Sequence, residues 1–336
     1  MKGWWTNLVK NINKKLLLDK FILISVILVF VNMYSKIFGS ENILIGVTVI
    51  TAVLMFKEMN LGYNLKQSIL LVVGLFTYIG FIASLNSINM FLGFLINLVS
   101  IFFTIYFSTE NIYTRAYLPF ILMYVFMEGN SIDASRLLTR VIASFVGGAI
   151  IGLTLYVTRK KKAVSDKNVL DIFKENIDVN NERIRFSVKM ALGVSLAILI
   201  GRIIGAEKGM WISIAVMSLT QPQFEETKER MKKRILSTII GFAIFIVLFK
   251  IIIPSQYIAL ASMALGYIYT FVEEYGIKMI FVTINALVAS MHLFTTPVAM
   301  QLRLGFLLIG AVLIYIISKI EIRILNNSLG EEPCVS

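Results

Sequence analysis

The sequence predicts an all-α fold: a polytopic membrane helical bundle of about twelve transmembrane helices, arranged as two six-helix tandem repeats. Three observations support this reading. The chain is 57% hydrophobic and 15% charged, with a mean hydropathy of +0.81. That is more apolar surface than a soluble core can hold, so lipid must solvate much of it. Twelve apolar runs succeed one another along the 336 residues. Finally, the phrase Lys36-Ile37-Phe38-Gly39-Ser40-Glu41 returns 166 residues later as Arg202-Ile203-Ile204-Gly205-Ala206-Glu207. Each copy closes one apolar run just before the next, which is the mark of a duplicated hydrophobic unit.

The runs lie at 21–38, 43–56, 68–84, 88–107, 117–127 and 137–157, then at 188–205, 210–220, 235–253, 257–272, 278–293 and 303–320. They are continuously apolar rather than alternating, which favours helices over barrel strands. Spanning a bilayer takes roughly 20 helical residues, so 43–56, 117–127 and 210–220 must thin the membrane, enlist flanking residues or re-enter.

Charge sets the expected topology. With the N-terminus in the cytoplasm, 25 of the 32 basic residues fall in cytoplasmic segments; the other seven are Lys36, Arg136, Arg140, Arg202, Lys208, Lys250 and Arg303. The net charge of +12 therefore follows the positive-inside rule and does not call for nucleic acid. The division expected is an interfacial amphipathic helix at 1–20, a first six-helix membrane unit at 21–158 and a cytoplasmic linker at 159–184. A second six-helix unit at 185–320 and a cytoplasmic tail at 321–336 complete it. In the first segment Trp5, Leu8, Val9, Ile12 and Leu16 recur at helical spacing, with Lys10, Lys14 and Lys15 placed to meet lipid headgroups. An even number of spans in the first unit makes the units parallel repeats about an axis along the membrane normal. Localisation in the cell membrane, multi-pass, with both termini cytoplasmic, is the expectation.

One cysteine, Cys334, and one histidine, His292, leave no intramolecular disulfide and no metal cluster. No nucleophile–base pair or phosphate-cradling glycine loop is present, so neither enzymatic activity nor a cofactor is expected. His292 is a weak proton-relay candidate.

Arg140, Arg234 and Arg303 each precede a glycine by seven residues (Gly147, Gly241, Gly310), and Gln67 stands in that place before Gly74. The spacing fits an older inverted three-plus-three repeat. It also fits an ordinary snorkelling arginine with a glycine where helices approach.

The second half reads Lys208-Gly209-Met210-Trp211-Ile212-Ser213 and on to Ser218-Leu219-Thr220-Gln221-Pro222, then Arg234-Ile235-Leu236-Ser237-Thr238-Ile239-Ile240-Gly241. This resembles the fusaric acid resistance protein-like family, which includes the aromatic acid exporters and is related to plant malate-activated anion channels. Trp211, Gln221, Pro222, Arg234, Thr238 and Gly241 match the family pattern, while Ser237 replaces a glycine. Arg185-Phe186 with Lys189 looks like the basic start of the family's first span. The resemblance covers roughly 185–320 well and 21–157 only in layout, where Leu44, Leu54-Met55, Gln67 and Leu71 replace the polar signature. It implies efflux of small organic anions of the aromatic carboxylate type, driven by an ion gradient. A passive organic-anion channel, and a non-transporting scaffold or lipid-acting protein, are the alternative readings.

The residues expected to bind substrate are Trp211, Ser218, Thr220, Gln221, Pro222, Arg234, Thr238, Arg140 and Arg303. Short or broken spans mark transporter sites, and Pro222 breaks the short span 210–220 among hydroxyls and an amide. Arginine suits a carboxylate through its planar fork. The structural alternative is that each hydroxyl bonds its own helix or a neighbour, for about 0.6 kcal/mol. The expected partners are the organic anion and the lipid bilayer, with homo-oligomerisation left open. Topology is checked by thiol labelling in a Cys334→Ser background. Cysteines placed singly in 163–184 should resist an impermeant reagent added outside intact cells, and labelling there would overturn the assignment.

Overall fold

The computed structural model describes residues 14–85, 89–160, 167–169, 171, 181–205, 208–291 and 293–329. Residues 1–13 of the expected interfacial helix, most of the linker, Ala206 and Glu207 of the repeated phrase, His292 and Cys334 lie outside them. Among the described residues there is no strand, and α-helices occupy all twelve apolar runs. They are α1 (Lys14–Phe38), α2 (Ile43–Phe56), α3 (Leu65–Leu85), α4 (Met90–Ser108), α5 (Leu118–Glu128) and α6 (Leu137–Arg159). The second set is α7 (Glu182–Ile203), α8 (Met210–Leu219), α9 (Phe224–Ile246), α10 (Ile258–Tyr269), α11 (Tyr275–Ser290) and α12 (Thr296–Leu329).

By length and composition, seven helical segments among the described residues can cross a membrane: Lys14–Phe38, Leu65–Leu85, Met90–Ser108, Ala134–Arg159, Glu182–Ile203, Phe224–Ile252 and Thr296–Asn326. Their outer faces are apolar. On α1 only Tyr34 is buried, while Phe21, Val26, Val29, Met33 and Ile37 are exposed, as expected of a helix solvated by hydrocarbon.

Packing divides the chain into two compact units, Phe30–Thr227 with Ile309–Ser336 and the smaller Met1–Val29 with Lys228–Leu308. This is a grouping by contact, whereas the expected tandem repeat is a grouping by sequence. In the larger unit the short helices gather: α5 packs against α2, α3, α4 and α8. Seven of the ten residues of α8 and seven of the eleven of α5 are buried. A helix of ten residues is about 15 Å long, half of the roughly 30 Å hydrocarbon core. Enclosed by protein, α5 and α8 need not match the bilayer, because surrounding helices cover their ends. Phe120 of α5 anchors the core, its ring 5.4 Å from Phe76 and 6.1 Å from Phe56.

The smaller unit packs α9, α10, α11 and the first part of α12. Phe245, Phe249, Ile284, Leu287 and Ala299 form its core, and a π turn, Val247–Ile252, closes α9. Such turns insert an extra residue into the helical repeat and recur at functional sites.

The glycines of the arginine–glycine spacing differ in use. A Cβ on Gly147 would press on Val49 and Tyr34, one on Gly241 on Thr283, and one on Gly310 on Ala215 and the Ile212 carbonyl; one on Gly74 meets nothing within 4 Å. The first three thus permit close helix approach, and Gly74, which follows Gln67, does not need to. Within the α3–α6 pair, the most extensive in the molecule, a Cβ on Gly148 would lie 2.9 Å from the Val73 Cα. Gly148→Val should lower stability by about 1–3 kcal/mol through overpacking, whereas Gly74→Ala should be neutral or raise it by up to ~1 kcal/mol. Thermal unfolding of both variants in detergent checks the contrast.

Candidate functional site

Helix α8 ends where Thr220 turns extended, and Pro222, which has no N–H, follows before α9 begins at Phe224. The resulting elbow, 220–223, sits among polar groups of the larger unit. Thr220 Oγ1 and its backbone N–H both donate to the Val216 carbonyl, at 2.7 and 2.9 Å. The Gln221 N–H donates to Thr227 Oγ1 at 3.2 Å. The Gln221 side-chain amide donates to the Thr220 carbonyl and accepts from the Arg115 guanidinium, the latter at 3.2 Å. Arg115 reaches it from a left-handed turn, φ 58°. Opposite, Lys189 of α7 donates to the Pro222 carbonyl at 2.8 Å and pairs with Glu321 of α12 at 2.7 Å. Its side chain is 1% exposed, so a buried ammonium is balanced by one carboxylate and one carbonyl. Outside the elbow, Tyr113 donates to Glu182 at 2.5 Å, and that hydrogen bond to the carboxylate raises the phenol above its ordinary value.

Trp211 is buried in the first turn of α8. Ser218 Oγ donates to the Ala215 carbonyl at 2.9 Å. With their single protons committed, Ser218 and Thr220 can only accept, which ill suits them to an anion. The buried hydroxyls of Ser195, Ser213 and Ser318, on α7, α8 and α12, make no hydrogen bond among the described residues. They are donors without an acceptor in the interior of this unit.

Arg140, fully buried on α6, spends its guanidinium on Asn42 Oδ1 at 3.2 Å and on the Met127 and Glu41 carbonyls at 3.3 and 3.4 Å. It also approaches Ser84 Oγ at 3.5 Å. It thereby supplies donors to the frayed ends of other helices. Arg202 pairs with Glu128, a residue whose sequence position suggests a solvated loop charge, and Arg136 pairs with Glu41 at 3.3 Å.

The smaller unit holds Arg234, Thr238 and Arg303. Arg234, on α9, is 4% exposed and lies against the Met279 thioether of α11, with Tyr269 and Tyr275 within electrostatic reach. Arg303 of α12 is 7% exposed, and the two guanidinium groups are close enough to act on each other as like charges. Thr238 Oγ1 donates back to the Arg234 carbonyl at 2.9 Å. Arg230 stacks 4.5 Å over the Tyr275 ring, whose hydroxyl is buried without a hydrogen bond among the described residues.

The residues named from sequence thus fall into separate settings. Trp211, Ser218, Thr220, Gln221, Pro222 and Arg140 belong to the larger unit, and Arg234, Thr238 and Arg303 to the smaller. Arg115 and Glu321 were not among them. Arg115 carried no signal beyond being a lone cation between runs, and Glu321 stood at the edge of an expected tail. Lys189 was legible only as a basic residue at the start of a span. Replacing Lys189 with methionine strands the Glu321 carboxylate and the Pro222 carbonyl and should cost about 3 kcal/mol, the low end for breaking a buried pair, since Glu321 keeps 18% exposure. The double variant Lys189→Met with Glu321→Leu should recover most of that loss in thermal unfolding. If it does not, the pair is not what stabilises the elbow.

A family model described as fusaric acid resistance protein-like matches residues 196–317, a stretch that holds α8, the elbow, Arg234, Thr238 and Arg303. An uncharacterized protein of Synechocystis sp. is 26% identical over 116 residues, covering 34% of this chain and 15% of that protein. The match thus reaches only a small part of that relative's length. No solved structure matches the chain. Many apolar helices, a broken short helix and the Trp–Gln-Pro–Arg pattern occur together in the matched stretch, and through residues 196–317 this multi-pass membrane protein is similar to the fusaric acid resistance protein-like family.

Proposed function

We propose that the protein is a transporter exporting small organic anions, of the aromatic carboxylate type, with an ion gradient as the driving force. The observation that carries this reading is the sign of the buried charge. Among the described residues the charged residues that are buried are all basic: Arg140, Arg183, Lys189, Arg234 and Arg303. Glu128, whose side chain is 7% exposed, is taken by Arg202.

A buried charge must be paired or solvated by polar groups, or it costs several kcal/mol. Arg140 meets carbonyls, Arg183 stacks 4.5 Å over Tyr106 and Lys189 meets Glu321. Arg234 and Arg303 lie close enough to act on each other as like charges, and the positive potential they share would favour a carboxylate. The guanidinium fork would hold its two oxygens, and the nearby tyrosines offer rings to an aromatic body. Thr238, its proton already committed, would position Arg234 rather than touch the anion.

The experiment is uptake of a panel of aromatic and aliphatic acids into vesicles carrying the purified chain, with and without an imposed proton gradient. Gradient-dependent flux is expected. Flux down the anion gradient alone would make the protein a channel, and no flux would leave a scaffold. Arg234→Gln, which copies Gln67 of the first half, should weaken transport by about tenfold or more if a charge-assisted bond of roughly 1.5–3 kcal/mol is lost. Gln67→Ala should be mild, since Gln67 bonds the segment between the halves, accepting from the Val169 N–H at 2.6 Å and donating to Asn168 Oδ1 at 3.1 Å. Unchanged flux and apparent affinity for Arg234→Gln at equal membrane abundance would make Arg234 an anchor only.

A further inference from the structure

The carboxylates of the smaller unit gather at one end of it. They are Asp19, Glu229, Glu273 and Glu274. Glu229 pairs with Lys233 in the first turns of α9, and Glu273 and Glu274 precede the start of α11, where a Cβ on Gly276 would face Ser237 of α9. Asp19 is two residues from Leu17, whose carbonyl accepts from Tyr267 near the end of α10 at 2.9 Å. Lys250 lies at the other end, roughly 20 Å of helix beyond Arg234, and is the one charged residue in the whole stretch 235–272. It is exposed and makes no ion pair among the described residues. The π turn fixes this placement. Its Ile253 N–H donates to the Leu248 carbonyl at 2.8 Å, and Phe249 turns into the core 5.4 Å from the Phe245 ring, so the next side chain, Lys250, faces away from that core.

Lys250 borders a cavity of about 850 Å³, a volume within the range of small-molecule sites. Ile246, Met291, Phe294 and Met300 give it apolar walls, and Thr295 and Thr296, at the start of α12, add two hydroxyls. Lys250 is its charged residue among the described lining. Every lining residue belongs to the smaller unit, so the pocket is built by one packed body.

We infer that this pocket binds a small amphipathic carboxylate, with the anionic group at the Lys250 ammonium and the apolar body against Met291, Phe294 and Met300. No carboxylate at this end of the unit competes for the ammonium, whose three donors accept an anion as a point charge. The two methionines are flexible and polarizable and adapt to an irregular body, while the Phe294 ring offers it a face. The site is separate from Arg234 and adjoins Arg303, which follows Met300 by one turn, about 4.5 Å along α12. Arg234, Arg303 and Lys250 thus form a succession of cations along the unit. As a station for an exported anion the pocket rests on the transport reading; binding at Lys250 does not require it.

The test is equilibrium dialysis of radiolabelled cinnamate against the purified full chain in mild detergent, with cinnamyl alcohol as the uncharged analogue. Lys250→Gln should weaken one component of binding by about tenfold or more, Lys250→Arg should keep it, and cinnamyl alcohol should compete for it about tenfold less well. Leu293→Trp fills the pocket from an exposed position without touching the charge, and it should abolish the same component while the protein still folds. Arg234→Gln should leave that component in place and remove another. Cinnamate binding that is unchanged in Lys250→Gln, or matched by the alcohol, overturns the pocket whatever Arg234→Gln does. A loss in Lys250→Gln with no effect of Arg234→Gln upholds the pocket and removes the reading of Arg234 as an anion site. The titration is repeated in nanodiscs: a Lys250-dependent component that persists in phosphatidylcholine and disappears in phosphatidylglycerol would assign Lys250 to a lipid headgroup and overturn the proposal.

Discussion

A backbone polar group without a partner inside a bilayer costs several kcal/mol, and the break between α8 and α9 creates such groups at 220–223. Several have a solution, and two of these draw in another part of the chain. The Val216 carbonyl takes two donors from Thr220, Gln221 finds Thr227 and Arg115, and the Pro222 carbonyl takes Lys189. A buried ammonium needs a counter-charge in turn, and Glu321 supplies it from near the end of α12. The one requirement ties α7, α8, the first turn of α9 and the last turns of α12 together, and it allows a short helix to end in the interior without unfolding its neighbours.

The same low dielectric that makes these bonds strong makes the charge pattern informative. The buried charged residues are basic, and the carboxylates of Glu41, Glu128 and Glu321 each meet an arginine or lysine. Arg140 shows how a cation can be purely internal, its donors meeting carbonyls and an amide from two other segments. Arg234 and Arg303 are different because their neighbours include each other. Two guanidinium groups close together raise the local potential, and under the proposed function it is this potential that would draw an anion.

Helix positions were legible because hydropathy is a property of short stretches: all twelve apolar runs became helices, and Pro222 ended α8 where proline chemistry requires. The arginine–glycine spacing was legible as well, and its exception was real, since Gly74 lacks the close neighbour that Gly147, Gly241 and Gly310 have. The hydroxyls of α8 were legible as residues but not as roles, because whether Ser218 and Thr220 donate outward or to their own helix depends on side-chain rotamers. Arg115 was illegible for a backbone reason: a left-handed turn at a non-glycine residue leaves no mark in composition. The pairing of Glu321 with Lys189 was illegible because 132 residues separate them.

The sequence by itself determined that lipid solvates much of this chain, where the helices lie, where α8 breaks and which residues carry charge into apolar surroundings. Local composition and spacing suffice for each. Only the tertiary structure decided that α5 and α8 are interior rather than lipid-matched, that Arg140 is satisfied within the protein, and that Arg234 and Arg303 neighbour one another. It also decided that packing groups the chain as 30–227 with 309–336, and 1–29 with 228–308, across the line of the expected sequence repeat. The physical reason is that side-chain pairing in hydrocarbon follows which surfaces can approach. That depends on small residues such as Gly148 meeting a partner backbone far away in the chain, a relation that no local pattern encodes.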